Sequence, residues 1–354
     1  MAGGTKYIDL ITLIQCVAPA VSPSAYATLF AARRTDNLEA SINAGAYSII
    51  GQEPAVPGLY GNGVDGDLNF NGSSTITLAG DASTIVPFAN VYKLPRDIYP
   101  RSMIIANGVT VGVGAIAVGS FRIFCFGEAN IIGILDANGG VGGDGGVNSI
   151  GSIGMAFGAG TIGAGSNGGQ GNVLSAGGAG TNITYACGQI GGAGGAGSSY
   201  AGGAAGTLNA GPIPTAAEGS ANVIRSVLAA MGGFAGVSPV NLIRGGSGGG
   251  GGGGDTANGG GGGGAGGNVI FLCAKAIIGA GTIRANGGAA GNAYQTSGNA
   301  GGGGGGGGGV VFTVSDTTPV PTIQANGGAL GLGRGTGTNG NAGTTGVIVS
   351  LVRS

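Results

Sequence analysis

Three unbroken runs of glycine, at 248–254, 259–264 and 301–309, constrain the fold of this chain more than any other feature. Glycine accounts for 89 of the 354 residues, and 71 of these glycines follow residue 140. Inside a regular helix or strand, glycine is destabilising by roughly 0.5–1 kcal/mol relative to alanine. A conventional α-helical or α/β enzyme architecture is therefore not expected for most of the chain.

Neither of two common explanations for a high glycine content fits this composition. Collagen requires a strict Gly-X-Y repeat and abundant proline, whereas this chain has 12 prolines and unbroken glycine runs. Disordered chains combine low hydrophobicity with high charge, whereas 42% of these residues are hydrophobic and 8% are charged. We therefore expect an ordered, compact protein.

A short pattern recurs along the chain: an apolar strand, then a second strand that ends in Ala-Asn-Gly-Gly. It occupies 121–140, 269–288 and 310–328, and 347–352 could begin a fourth copy. Recurrence of this kind is typical of repeat folds, in which neighbouring units bury a common core. Because Asn-Gly pairs favour backbone with positive φ, the motif is predicted to mark the end of each strand.

The cysteines are interpreted through the same repeat. Thirteen positions separate Cys125 from Asn138 and Cys273 from Asn286, and Thr313 takes the place of the cysteine in the third copy. The two cysteines are flanked by Ile, Phe and Leu, which predicts small buried core residues. The four cysteines of the chain are too scattered for a disulfide framework or a zinc site with paired spacing.

The glycine runs recur at the same place between repeated strands, a regularity that a flexible linker has no reason to keep. The alternative is the polyproline II conformation, a left-handed helix with about three residues per turn and a rise of about 3.1 Å. Glycine leaves such a helix thin enough for several to lie side by side and bond to one another through their backbones. At that rise, the run 301–309 would span about 28 Å.

The sequence thus predicts an all-β protein with polyglycine/polyproline II helices and little α-helix. We divide it into an N-terminal β module (1–58), a β-strand module (59–140) and a glycine-rich domain (141–354) in which polyglycine II helices alternate with strands. Specificity is expected in the loops at the ends of the glycine helices, because a glycine face offers only backbone groups.

Candidate contact residues in those loops combine aromatic, amide, hydroxyl and carboxylate groups, a mixture that suits sugars or protein epitopes. For any single one of them, a solvated loop cap is the simpler interpretation. The candidates are Ser198, Ser199, Tyr200, Asp255, Asn258, Asn292, Tyr294, Gln295 and Thr296.

The sequence offers little for catalysis or for other classes of partner. It has no histidine, and none of its lysines follows glycine as a P-loop requires. Asp65 and Asp67 are close enough in sequence to suggest a polysaccharide-cleaving pair, but they lie in a turn-rich segment. We expect no enzymatic activity, no cofactor and no metal. A net charge of -1 gives no footprint for nucleic acid, and no run approaches the roughly 20 apolar residues of a membrane span.

Two parts of the chain resemble bacteriophage virion proteins. Residues 139–354 are similar in composition to the glycine-rich distal adhesins of T-even-like phages, in which polyglycine II helices are sandwiched and variable loops meet the host. A second part resembles a β module of phage tail and fibre proteins, from which Pro95, Pro100 and 112–120 depart. Its motifs are Gly-Asn-Gly-Val-Asp-Gly at 61–66, Leu-Pro-Arg-Asp-Ile-Tyr at 94–99, Ile-Ile-Ala-Asn-Gly-Val-Thr-Val at 104–111 and Phe-Arg-Ile-Phe at 121–124.

This resemblance implies a virion structural protein on the surface of the extracellular particle, and within that class a tail fibre or receptor-binding protein. Residues 1–58 would attach it to other virion proteins, and its loops would contact a host surface glycan or outer protein. The resemblance also implies a homotrimer. Two alternatives stay open: a capsid spike, cement or collar protein without receptor binding, and an antifreeze-type or secreted surface protein.

Overall fold

The structure is a computed structural model. Within its described residues the protein is all-β, and helical structure is confined to residues 230–231. No helix in this part of the chain has the length and apolar character that crossing a membrane requires. Cys16, Cys187 and most of the predicted module 1–58 lie outside the described residues, which are 27–31, 38–42, 48–50, 59–113, 120–156, 162–186, 188–210, 230–231 and 243–353.

Eighteen strands lie in the described part of the chain. The first three form an antiparallel sheet, and the other small sheets pair the fifth strand with the sixth and the twelfth with the thirteenth. In chain order the strands are β1 (Ala27–Ala31), β2 (Leu38–Ile42), β3 (Ser48–Ile50), β4 (Asp67–Phe70), β5 (Ile76–Thr77), β6 (Thr84–Ile85), β7 (Val91–Leu94), β8 (Ser102–Ile105), β9 (Thr110–Val113), β10 (Phe121–Ile131), β11 (Ile134–Asp136), β12 (Ile183–Ala186), β13 (Leu208–Ala210), β14 (Val269–Ile278), β15 (Thr282–Arg284), β16 (Val310–Ser315), β17 (Thr322–Gln324) and β18 (Val347–Val352).

Two parallel sheets form the body of the fold. One has six strands in the order β18-β16-β14-β10-β8-β4, and the other has five in the order β17-β15-β11-β9-β7. Successive coils of the chain therefore place one strand in each sheet, which is the arrangement of a parallel β-solenoid. The strands before and after residue 140 share both sheets, since β10 pairs with β14 and β11 with β15. The division into domains at that residue stays a prediction.

The larger hydrophobic core lies between the two parallel sheets. Strands β4, β7 and β8 alternate more exposed and buried residues, as strands with one face on a core do. The first six residues of β14 are all buried, because both of its faces are covered. The second face carries a row of aromatic rings, Tyr99, Phe124, Phe271 and Phe312, whose successive centroids are 5.4, 5.4 and 6.2 Å apart.

The matched positions predicted for Cys125 and Cys273 are wrong by one residue. Phe124 pairs with Cys273, and Cys125 pairs with Ala274, because an irregularity between Cys125 and Glu128 shifts the register within β10. A shift of one residue moves a side chain to the opposite face of a strand. Both thiols are fully buried as expected, but Cys125 lies in the core between the sheets and Cys273 lies on the aromatic face.

The third and fourth copies of the repeat are also present as parallel strands, β16 beside β14 and β18 beside β16. Val314, not Thr313, lies opposite Cys273, so the position predicted for Thr313 is wrong by one residue. The Thr313 hydroxyl donates to Ser350 Oγ at 2.8 Å across the β16–β18 pair. This bond gives the buried hydroxyl of Thr313 a hydrogen-bond partner.

The glycine-rich segments occur in pairs. The first segment of each pair leads away from the solenoid to a turn, and the second returns antiparallel beside the first. Each pair is joined by hydrogen bonds at every third residue: for example, Gly249 N–H donates to the Gly264 carbonyl at 2.9 Å and Gly252 N–H to the Gly261 carbonyl at 2.7 Å. We call the whole set the glycine bundle. Its segments are 137–146 with 150–156, 162–171 with 177–182, 188–197 with 201–207, 243–254 with 259–268, 285–293 with 300–309, and 325–333 with 339–346.

The run 301–309 lies in the interior of the glycine bundle. Each of its glycines donates its backbone N–H and accepts at its carbonyl, and successive residues bond to different segments. A Cβ on Gly305 would lie 2.0 Å from the carbonyl oxygen of Gly328, so no side chain fits there. The run donates to segments 243–254, 285–293 and 338–346, and it accepts from segments 188–197, 259–268 and 325–333 and from Val347 in β18.

Segments at the perimeter of the glycine bundle keep glycine at two of every three positions. In 139–146, a Cβ on Gly142 would lie 2.2 Å from the Gly262 carbonyl oxygen, and one on Gly143 would lie 2.2 Å from Ser152 Oγ. Val141, at the third position, points outward and is 66% exposed. A non-glycine residue at every third position therefore indicates a segment with one side exposed to solvent, whereas an unbroken glycine run indicates a segment that is covered on all sides.

The Ala-Asn-Gly-Gly motif does end the strands, as predicted, but without the predicted positive φ. Strands β11, β15 and β17 stop directly before its alanine, and neither its asparagine nor its first glycine has positive φ in any copy. The asparagines instead bond successive coils together. Asn286 N–H donates to Asn138 Oδ1 and Asn326 N–H to Asn286 Oδ1, each at 2.7 Å.

Candidate contact surface

Six turns join the outgoing and returning segments of the glycine bundle in the described part of the chain, and all six lie at the end away from the solenoid. Direct backbone bonds connect them: Asn148 N–H donates to the Ala257 carbonyl at 2.8 Å, and Ser198 N–H to the Asn299 carbonyl at 2.7 Å. Residues far apart in sequence thus share one surface. We call it the tip; it comprises 146–149, 172–176, 197–200, 255–258, 294–299 and 333–338.

Asp255 is the buried centre of the tip and not a contact residue. Its side chain accepts the backbone N–H groups of Ala257 at 2.7 Å, Asn258 at 2.6 Å and Asn299 at 2.6 Å. The Asn258 carboxamide also donates to both carboxylate oxygens. Burial opposes ionisation of Asp255, but these hydrogen bonds outweigh it and lower its pKa to about 2. The carboxylate therefore fixes the 255–258 turn against the 294–299 turn.

The structure exposes some of the predicted contact residues and buries others. Two pairs project into solvent from neighbouring turns, Ser198 with Ser199 and Gln295 with Thr296. Three residues, Tyr200, Asn292 and Tyr294, are half-buried, and Asp255 and Asn258 are buried. Four of the nine candidates are therefore exposed to a partner.

Asn292 and Gln295 also take part in bonds within the protein. The Asn292 side-chain oxygen accepts Leu332 N–H at 2.9 Å, while its own N–H donates to Asp144 Oδ1 at 2.6 Å. Gln295 Nε2 donates to the Ala293 carbonyl at 2.8 Å, although its side chain is exposed. Asn292 lies on the side of the glycine bundle and contributes to its stability.

Sequence reasoning missed several exposed residues of the tip. Leu174 is 64% exposed and Val147 is 53% exposed, and Arg334 and Thr336 are exposed as well. Arg334 and Thr336 follow Asn326 at the same sequence separations at which Tyr294 and Thr296 follow Asn286. An alignment of the repeats could therefore have identified them. No pattern in the sequence marks Leu174.

The tip carries both apolar and polar exposed side chains. Val147 and Leu174 are exposed on turns of neighbouring segments, since 162–171 is bonded to 150–156 through Gly171 N–H and the Gly151 carbonyl. The exposed polar side chains include Ser198, Ser199, Gln295, Thr296 and Arg334. A surface with both kinds of group can bury apolar area and place hydrogen-bonding groups around it.

The motif series at the start of the solenoid forms an ionic network around the buried carboxylate of Asp65. Arg96 donates to both oxygens of buried Asp65, at 2.8 and 3.0 Å, and to Asp81 at 2.8 and 3.0 Å. Burial opposes ionisation of Asp65, but bonds from Arg96, Tyr99 N–H and Gly80 N–H outweigh it and lower its pKa. This network holds the 61–66 turn against the 94–99 segment.

The carboxylates considered for polysaccharide cleavage are each paired with a different arginine. Asp67 accepts from Arg101 and, at 2.7 Å, from Ser102 Oγ, whereas Asp65 accepts from Arg96. Hydrogen bonds from Arg101 and Ser102 lower the pKa of Asp67 to about 2. Neither carboxylate is arranged as a proton donor. In the described residues, no three or more Cys, Asp or Glu side chains come close enough to hold a metal ion.

We compared this chain with protein-family models, curated proteins and solved structures. None of them matches it.

Proposed function

We propose that the protein is a bacteriophage virion structural protein, a tail fibre or receptor-binding protein on the particle surface, and that its tip contacts the host. The observation that carries the proposal is the convergence of six turns at one end of the glycine bundle. A surface assembled from many turns on a rigid support is the arrangement that binding proteins use.

Support for a rigid bundle comes from its hydrogen bonds. We propose that its segments are the polyglycine II helices expected from the sequence. Residues one apart bond to different segments and residues three apart to the same one, which is the repeat of a helix with three residues per turn. None of the glycines in 248–254, 259–264 and 301–309 has positive φ.

The position of Leu59 and Tyr60 supports a protein with two functional ends. Both residues pack on the aromatic face of the solenoid, where the Cys273 thiol donates to the Leu59 carbonyl at 3.2 Å and Tyr60 O–H donates to Asp316. The chain from residue 59 onward therefore begins on the solenoid and not at the tip. In this proposal residues 1–58 attach the chain, as a homotrimer, to other virion proteins, and the tip meets a host surface glycan or outer protein.

The test is adsorption of particles that carry Gln295→Ala and Thr296→Ala in the tip, measured on the bacterial strain on which the phage multiplies. We expect the adsorption rate to fall at least tenfold while particle yield stays unchanged, because both side chains are exposed and neither takes part in the backbone hydrogen bonds of the glycine bundle. The matched control is Thr317→Ala with Thr318→Ala. These threonines are also exposed, but they lie in the turn after β16, at the opposite end of the solenoid from the tip.

Two outcomes would count against receptor binding. Normal adsorption by both variants would favour the alternative, a capsid spike, cement or collar protein. Equal loss in the tip variant and in the control would indicate a defect of the particle and not of the contact.

A further inference from the structure

One side of the glycine bundle is formed by three neighbouring segments, 137–146, 285–293 and 325–333, each bonded to the next in the same direction. Gly142 N–H donates to the Ala289 carbonyl, and Ala290 N–H to the Ala329 carbonyl, both at 2.9 Å. Every third residue of these segments points away from the bundle. We call this surface the flank; its outward residues are Asn138, Val141, Asp144, Asn286, Ala289, Asn292, Asn326, Ala329 and Leu332.

No outward position of the flank is glycine, whereas the interior run 301–309 is glycine at every position. Inside the bundle a Cβ would collide with the next segment: on Gly302 it would lie 2.1 Å from the Gly331 carbonyl oxygen, and on Gly304 it would lie 2.1 Å from that of Gly192. A Cβ at the flank therefore occupies the place that a further glycine segment would need.

Side chains also satisfy the backbone donors of the flank. In the interior run 301–309, every N–H group bonds to a carbonyl of a neighbouring segment. At the flank, Asn326 N–H donates to Asn286 Oδ1 at 2.7 Å and Leu332 N–H donates to Asn292 Oδ1 at 2.9 Å. Between them, Ala329 N–H makes no hydrogen bond within the described residues. At two of these three N–H groups, an asparagine side chain thus supplies the acceptor that a neighbouring segment would supply in the interior.

We propose that the outward side chains of Asn286, Ala289 and Asn292 prevent the glycine bundle from adding a glycine segment of a second copy of this chain. The bundle is self-complementary, since backbone hydrogen bonds join its segments in both parallel and antiparallel directions. Any copy with an open flank can therefore supply the segment that fills the open position of another. An open sheet edge poses the same hazard, and side chains placed on it prevent pairing in the same way.

The experiment compares two variants that lose the same hydrogen bonds. The glycine variant, Asn286→Gly with Ala289→Gly and Asn292→Gly, frees the N–H groups of Asn326 and Leu332 and removes every outward Cβ of its segment. The alanine variant, Asn286→Ala with Asn292→Ala, frees the same two N–H groups but keeps a Cβ at all three positions. The purified full-length proteins are compared by sedimentation equilibrium over a range of concentrations.

We expect the average mass of the glycine variant to at least double with rising concentration, while the alanine variant follows the wild type. Hydrophobic attraction cannot produce this result, because the glycine variant has less apolar surface than the alanine variant. The proposal is overturned if the two variants sediment alike, whether both associate or neither does.

Hydrogen exchange on the wild-type protein tests the same proposal without relying on a variant that must fold. Asn326 and Leu332 N–H should exchange at least tenfold more slowly than Ala329 N–H between them, because only the first two are bonded to asparagine oxygens. Equal exchange at all three positions would show that the asparagines do not replace a segment.

Discussion

Gly305→Ala is the smallest change that tests whether the glycine bundle is a packed core. The added Cβ would lie 2.0 Å from the Gly328 carbonyl oxygen, whereas ordinary contact begins at 3.4 Å, so segment 325–333 must move outward by about 1.4 Å. Two bonds hold that segment to the run 301–309: Gly328 N–H to the Gly306 carbonyl at 2.8 Å and Gly331 N–H to the Gly303 carbonyl at 2.9 Å. After such a movement both would exceed the usual limit for a hydrogen bond.

The cost follows from the groups left without partners. Each broken bond leaves at least one buried backbone group without a partner, at a cost of about 1–3 kcal/mol, so loss of two bonds should lower the free energy of unfolding by at least roughly 2–6 kcal/mol. The measurement is the midpoint of guanidinium unfolding, followed by circular dichroism. The slope of the free energy of unfolding against denaturant concentration is compared as well, because an unchanged slope means that a shifted midpoint reports stability.

Gly146→Ala is the matched control for this substitution. It makes the same chemical change at the tip, where the nearest atom to the new Cβ would be Ser149 Cβ at 3.1 Å, so that a shift of only a few tenths of an ångström restores ordinary contact. We expect it to change the free energy of unfolding by less than about 1 kcal/mol. Unfolding of Gly305→Ala at the same denaturant concentration as Gly146→Ala would refute the view that backbone packing excludes side chains from the interior.

Three further predictions concern the solenoid. Arg96→Ala should lower the free energy of unfolding by about 3–5 kcal/mol, because it leaves buried Asp65 without its cation, whereas Arg101→Ala, at an exposed ion pair, should leave the denaturation midpoint nearly unchanged. Since the pKa of Asp65 is lower in the folded protein, its stabilising effect should be complete above about pH 4 and decrease as pH falls through the folded pKa; Asp65→Asn should make stability less dependent on pH in that range. Burial raises the pKa of Cys125 to about 12, so peptide mapping should find this thiol unmodified by iodoacetamide at pH 8 until the protein is unfolded.

The sequence predicted the order of strands and glycine segments well, because both leave strong local signals. Apolar runs such as 269–273 and 310–314 are strands, and Ala-Asn-Gly-Gly follows directly after the second strand of each copy. The pairing could not be predicted to the residue. The irregularity after Cys125 shifts the register by one position, and the equal spacing from cysteine to asparagine in the two copies conceals this shift.

The candidate contact residues were predicted less well, for a physical reason. Asp255 and Asn258 look like binding residues because they are polar and lie between glycine runs. A tight turn, however, needs side-chain acceptors for its own backbone N–H groups, and Asp255 accepts three of them. Composition alone does not distinguish a polar residue that holds a turn from one that faces solvent. Ser198 and Gln295 differ from Asp255 in exposure, and exposure depends on the packing of the six turns.

The glycine bundle separates the support of the tip from its chemistry. Its interior segments are held by bonds between backbone groups, which no tip side chain makes, so changing Ser199 or Thr296 removes none of those bonds. At Gly305, by contrast, a single added carbon meets a backbone atom. Asp255 is an exception within the tip, since its carboxylate joins two turns. A chain built in this way can change the exposed residues that meet a partner while the positions that support them stay fixed as glycine.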